Sequence, residues 1–263
     1  MGAEPESSDK VRADQLLVTR GLAATRSQAQ RLIAAGLRWR ASGARGDWRA
    51  VGKNGEELPT DAELQLQDTS ERRFVSRGGL KLDGALAQLD WSVQGLHCLD
   101  VGQSTGGFTD VLLQRGAAQV VGVDVGHGQL HPSLRADPRV CAIEGLNARE
   151  LQPQDPRLPA QRFDLIVGDL SFISLTLVLP ALLPWLSPTG RLLLLVKPQF
   201  ELQPGQVGKG GIVRDPALYA LVSQRLHQCC QALDLSVLAW LDSPIAGGDG
   251  NREFWLGAAR PPL

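Results

Sequence analysis

The stretch from His97 to Gly128, HCLDVGQSTGGFTDVLLQRGAAQVVGVDVGHG, constrains the fold more than any other part of the chain. Cys98 to Val101 is a short apolar run closed by Gly102, and Gly106 and Gly107 close the polar turn Gln103-Ser104-Thr105. Phe108 to Gln114 has helical spacing, Gly116 stops it, and Val120 to Val123 is a second buried-strand pattern ending on Asp124. Strand, glycine-rich turn, helix and strand make a parallel βαβ unit. Such a unit binds ligands at the carboxyl ends of its strands, where the helix start offers unpaired N–H groups. Asp124 falls about 20 residues past the first glycine, where a carboxylate can take both hydroxyls of a ribose.

The turn does not fit every nucleotide. G-x-G-x-x-G is absent, because Gln103 and Ser104 follow Gly102, so a dinucleotide pyrophosphate is disfavoured. A turn opened by Asp100 and Gly102 suits a zwitterionic amino-acid end, and with a ribose acid one strand on it suggests S-adenosylmethionine. An ordinary tight turn would explain D-x-G alone; Asp124 in register favours the nucleoside ligand. The expected cofactor set is Asp100, Gly102, Ser104, Thr105, Gly106, Gly107, Phe108, Asp124, Val125, Asn147 and Asp169.

A chain of 263 residues fits one large domain, or one medium domain with a small partner. Its net charge of −1 hides an uneven distribution. From Lys10 to Lys53 there are ten cations against Asp14 and Asp47, a local excess of eight. Within this segment Leu16, Leu17 and Val18 mark a helix over Val11 to Arg20. Thr25 caps a second helix, with Gln28 completing a capping box, Ala29, Leu32, Ile33, Ala34 and Ala35 facing inward, and Gly36 ending it. Arg26, Gln30 and Arg31 are left on the exposed face, with Arg38 and Arg40 just beyond. Guanidinium forks pair with phosphates, so this end is expected to bind folded RNA rather than merely to be solvated. The expected RNA contacts are Arg12, Arg20, Arg26, Arg31, Arg38, Arg77, Lys209 and Arg214.

The four cysteines have no CxxC spacing, with Cys98 and Cys141 in buried-looking strands, and the four histidines form no ligand cluster; no metal is expected. MGAEPESSDK lacks a signal-peptide core. Leu175 to Val196 is apolar, but Pro180, Pro184, Pro188, Gly190 and Arg191 interrupt it, whereas a membrane span needs about 20 uninterrupted apolar residues. A soluble, cytoplasmic monomer is expected.

Further strands are expected at Val140–Ile143, Phe163–Gly168, Arg191–Val196, Ser236–Trp240 and Glu253–Ala258. Helices are expected over Leu80–Leu89, Ser174–Leu186 and Leu218–Leu233. Alternation of this kind predicts an α/β fold: a Rossmann-like, mostly parallel sheet with helices on both faces. Asp169 and Lys197 then close adjacent strands, and a lysine at a buried strand tip needs a partner. Lys81, at a helix start, reads on its own as a surface lysine. Gly208–Pro216, GKGGIVRDP, reads as a basic lid.

RADQLLVTRGLAATRSQAQRLIAAGL resembles the S4-like RNA-binding domain, with PTDAELQLQ as its closing strand; the 38–57 segment departs from that pattern. SRGGLKL, DVGQSTGGFTD, GDLSFISL, VKPQFE and GGIVRDP together resemble the TlyA family, once named as hemolysins and understood as rRNA 2′-O-methyltransferases. That resemblance implies a tail (1–9), an S4-like domain (10–67), a linker (68–75) and an FtsJ-like methyltransferase domain (76–263). It also implies a Lys-Asp-Lys-Glu tetrad at Lys81, Asp169, Lys197 and Glu253, and cytidine in 16S or 23S rRNA as substrate. The strand-four sequence Asp169-Leu-Ser-Phe is unlike the Asn/Asp-Pro-Pro-Tyr of base N-methylation, and no cysteine stands there for C5 chemistry. A non-catalytic ribosome-assembly factor and a membrane-lytic protein are the alternatives from other classes.

Overall fold

A computed structural model describes residues 9–23, 25–43, 47–66, 73–153, 155–247 and 250–261. The expected tail (1–8 of it) and most of the expected linker (68–72) lie outside the described residues, as does Arg45. The chain forms two compact units, residues 1–75 and 76–263.

The first unit opens with β1 (Lys10–Arg12), α1 (Ala13–Thr19) and α2 (Arg26–Ala34). It continues through β2 (Leu37–Arg40), β3 (Arg49–Ala50), β4 (Glu57–Pro59) and β5 (Glu63–Leu66). Lys10–Arg12 is a strand rather than the start of the helix, because it pairs antiparallel with β4, Lys10 opposite Pro59. Thr25 caps α2 by accepting from the Gln28 amide at 3.2 Å. Ala29, Leu32 and Ile33 are buried with Leu16, Leu17, Leu37 and Leu58. Ala34, expected inward, is exposed, and Ala35 is half-buried, because the helix ends there. The atypical 38–57 segment contains a hairpin, with Arg38 opposite Ala50 and β5 on the other side of β2.

The second unit carries α3 (Gly78–Leu89), β6 (His97–Val101), α4 (Gly107–Gln114), β7 (Gln119–Asp124), α5 (Pro132–Arg135) and β8 (Val140–Glu144). There follow β9 (Phe163–Gly168), α6 (Leu175–Leu182), β10 (Leu186–Val196), α7 (Pro198–Glu201), α8 (Pro216–Ala232), β11 (Ser236–Asp242) and β12 (Phe254–Ala259). The seven-stranded sheet has the order β11-β12-β10-β9-β6-β7-β8, and only β12 runs against the rest. The expected helix 174–186 stops at Leu182, where Pro184 allows only a 3-10 turn, and Leu186 already pairs with Phe163. The long apolar run is thus helix, turn and strand, and among the described residues no helix is long and apolar enough to cross a membrane. Cys141, expected to be buried, is exposed on the edge strand β8.

Strand side chains alternate between the two faces. Leu99 and Val101 share one buried core with Leu175, Val178, Leu179 and Leu182 of α6 and with Val222, Leu226 and Cys230 of α8. Those helical residues recur every three or four positions, the spacing of one helix face. On the opposite face Asp100 accepts a hydrogen bond from Thr109 of α4, and Phe108 packs on Trp255 with centroids 5.6 Å apart. The start of α4 presses against the start of α3: a Cβ at Gly107 would collide with Ser76 Oγ and lie 3.0 Å from the Gly79 amide nitrogen.

That contact sets how far α3 can approach. Gly107→Ala is expected to lower stability by about 1–3 kcal/mol through overpacking, measured by denaturant unfolding. Part of the loss should return in Gly107→Ala/Ser76→Ala. Unfolding identical to wild type would show that α3 moves freely.

Candidate active site

The carboxyl ends of β9 and β10 and the residue just before β12 converge at one place. Gly168 pairs with Leu194 in parallel, which puts the residues just beyond, Asp169 and Lys197, at neighbouring strand ends. Val196 pairs with Phe254 in the antiparallel direction, so Glu253 enters the sheet beside Lys197. Lys197 Nζ lies 2.5 Å from Asp169 Oδ1 and donates to Ser171 Oγ at 2.9 Å. Lys81 is not a surface lysine. It is 7% exposed, and its Nζ lies 2.6 Å from Glu253 Oε2. Burial pushes the Glu253 carboxyl above its usual range, and Lys81 opposes that shift; Asp169 and Lys197 act on it too, so the two pairs share one field.

The glycine-rich turn runs alongside. Gly102 has φ +82°, and a Cβ there would lie 2.7 Å from the carbonyl oxygen of Asp169, so only glycine lets the turn pass the end of β9. Asp124 Oδ2 accepts the Ser104 amide at 2.8 Å, and Oδ1 accepts Gly126 at 2.6 Å. A carboxylate has about four lone-pair sites, so these bonds leave it able to meet hydroxyls as well. Asn147 caps a short turn after β8, and the neighbouring Leu146 amide donates to the Asp124 carbonyl oxygen. Thr105 and Val125 are exposed, whereas Gly106, Gly107 and Phe108 are buried under the turn.

Asp100 is buried, and its Oδ1 has no hydrogen-bond partner. Burial pushes its carboxyl up to about 7, against the Thr109 hydroxyl, with Asp169 and Asp124 adding to the rise. Gln103, also buried, donates to Thr109 Oγ1 at 2.9 Å, and Thr109 donates to Asp100 Oδ2 at 2.7 Å. This polar chain escapes a sequence reading, because only the fold brings Thr109 of α4 against Gln103 and Asp100.

Other features were equally hidden in the sequence. Phe172 is 89% exposed at φ +64° and packs on Phe200 with centroids 5.0 Å apart. Glu201, the last residue of VKPQFE, accepts from Ser174 Oγ at 2.5 Å and from the Leu175 amide at 2.7 Å, clamping the loop from Asp169 to the start of α6. Asn251 is buried and ties down the basic loop: it accepts from the Val213 amide and donates to the Gly211 carbonyl, each at 2.9 Å.

The residues expected at RNA divide by unit. In the second, Arg77 donates to the Ala246 carbonyl, while Lys209 and Arg214 are exposed on the basic loop. In the first, Arg38 is exposed on β2 and Arg31 is half-buried on α2. Arg20 braces the Thr60 and Ala62 carbonyls, and Arg12 and Arg26 both meet Asp14.

The family model of the FtsJ-like methyltransferases matches residues 74–260. A Mycobacterium tuberculosis protein named 16S/23S rRNA (cytidine-2′-O)-methyltransferase TlyA is 47% identical over 247 residues, covering 94% of this chain and 89% of that protein. Hemolysin A of Brachyspira hyodysenteriae is 35% identical over 252 residues, covering 93% of this chain and 98% of that protein. Among solved structures, a hemolysin-named protein from Streptococcus thermophilus superposes with a TM-score of 0.73 at 40% identity, covering 97% of this chain and 90% of that one. The chain therefore belongs to the FtsJ-like methyltransferases and, among them, to the TlyA family.

Proposed function

We propose that this protein is an S-adenosylmethionine-dependent methyltransferase of ribose 2′-hydroxyls in cytoplasmic ribosomal RNA, with cytidine as the target nucleotide. One observation carries the reaction type: two lysine–carboxylate pairs, Lys81–Glu253 and Lys197–Asp169, meet beside the glycine-rich turn. The S4-like reading of the first unit supports RNA as the substrate, and so does its excess of arginine.

The cofactor supplies a methyl group already activated on a sulfonium. The residues present fit it. Positive-φ Gly102 and Gly106 shape the turn, the unpartnered Asp100 Oδ1 offers a carboxylate to an amino-acid ammonium, and Asp124 offers one to ribose hydroxyls. Asn147 stands beside the Asp124 end of the site, where an adenine would lie.

A ribose hydroxyl is a poor nucleophile, so the protein's task is alignment and proton removal. Lys197, tethered by Asp169 and Ser171, would orient the 2′-hydroxyl toward the cofactor's transferable methyl group, and the hydroxyl proton would leave through the Lys197–Asp169 pair to solvent. Lys81, oriented by Glu253, holds the adjacent phosphate or the hydroxyl itself. The exposed ring of Phe172 offers a stacking face for an unpaired base of the target strand.

Methyl transfer from labelled S-adenosylmethionine to purified ribosomal subunits and to naked rRNA tests the reading. Wild type should yield label in alkali-resistant 2′-O-methyl dinucleotides, and Lys197→Ala should lower the rate about 10²–10⁴-fold, the usual weight of a positioned acid–base group. Cofactor binding with no transfer to any RNA would sink it.

A pH dependence follows from Asp100. Its folded pKa is raised to about 7, so below that pH the group is protonated and meets a cofactor ammonium without charge. Cofactor affinity should therefore rise between about pH 6 and 8 as Asp100 ionises, measured by calorimetry. Asp100→Asn should flatten the rise; an unchanged profile in that variant would remove Asp100 from the site.

A further inference from the structure

We propose that Asp14 is a positioning residue of the RNA-binding face: its buried carboxylate locks Arg12 and Arg26 into fixed phosphate-facing forks. This rests on the reading above that the first unit binds RNA. The Asp14 side chain is wholly buried, an unusual place for a carboxylate. Its backbone is fixed as well, since the Asp14 amide donates to the Asn54 carbonyl and the Ala13 amide to that of Glu56. Arg12 donates to it twice, Nε to Oδ1 at 3.1 Å and Nη2 to Oδ2 at 3.0 Å. Arg26 Nε donates to Oδ2 at 2.9 Å, and Gln30 Nε2 to the same oxygen at 3.3 Å.

The two arginines spend only part of their donor sets. Each guanidinium has five N–H groups. Among the described residues, Arg12 keeps its Nη1 hydrogens and Arg26 keeps all four on Nη1 and Nη2. Their side chains remain 45% and 61% exposed. One rigid anion thus orients two forks that come from different elements, the end of β1 and the start of α2. A free arginine must give up its rotamer freedom on binding a phosphate; an arginine already held has given it up in folding.

Asp14 is negative, so a charge count makes its removal strengthen binding to a polyanion. Preorganisation makes its removal weaken binding.

The test uses the full chain, filter binding to labelled ribosomal RNA, and thermal unfolding to verify the fold. Asp14→Asn, one unit more positive, should bind about five- to tenfold more weakly, the scale of ordering one or two long side chains. Arg26→Lys, unchanged in charge but unable to form the fork, should also bind at least about threefold more weakly. If Asp14→Asn fails to fold, Arg26→Lys alone decides. Wild-type or tighter binding by folded Asp14→Asn, or wild-type binding by Arg26→Lys while Arg26→Ala weakens, overturns the positioning role and leaves the RNA face standing. Wild-type binding by Arg26→Ala overturns the RNA reading at this position, and the proposal with it.

Discussion

Lys81 is buried against a carboxylate and Lys197, half-buried, is held against a second, and the arrangement of this site follows from those two pairs. Lys81 is carried on a helix, Lys197 on a strand end, Asp169 on the strand beside it, and Glu253 at the opening of the single reversed strand. Breaking the buried Lys81–Glu253 pair by removing one partner costs about 3–5 kcal/mol, because the other charge is left uncompensated. That pair fixes the elements that carry it, and the half-buried Lys197–Asp169 pair holds two neighbouring strand ends together. Three parallel strands alone would not suffice. The reversal of β12 is what places Glu253 at the same end of the sheet as Asp169 and Lys197.

Close packing brings the ligand-facing elements to that end. Gly102 lets the turn after β6 slide under the Asp169 carbonyl, and Gly107 lets α4 touch the start of α3. Both set distances between the elements that carry the proposed catalytic and cofactor-binding groups. Glu201 performs the same office for the loop from Asp169 to α6, though its motif reads as chemical.

Much of this was legible in the sequence, for a physical reason. The strands β6, β7, β9 and the core of β10 are apolar runs ended by glycine or a charged residue, and buried parallel strands have that pattern. The turn, Asp124, Asp169 and Lys197 sit at the ends of those runs and could be placed from them. What was hidden depends on partners far along the chain. Lys81 looks like a surface residue until Glu253, near the other terminus, is folded against it. Val11 and Arg12 look helical until β4 pairs with them, and Arg12 and Arg26 look free until Asp14 is buried between them. Phe172 at positive φ is invisible to any periodicity.

On the proposed mechanism the two lysine–carboxylate pairs work as one unit on one hydroxyl. The deciding experiment is a double-mutant cycle on single-turnover methyl transfer, with Lys81→Ala, Lys197→Ala and the double variant. The expected result is strong non-additivity, the double variant hardly slower than the worse single one, since groups acting on one transition state are lost together. Losses that simply add, or a Lys81→Ala enzyme as fast as wild type, would show that the pairs act separately and would contradict the account.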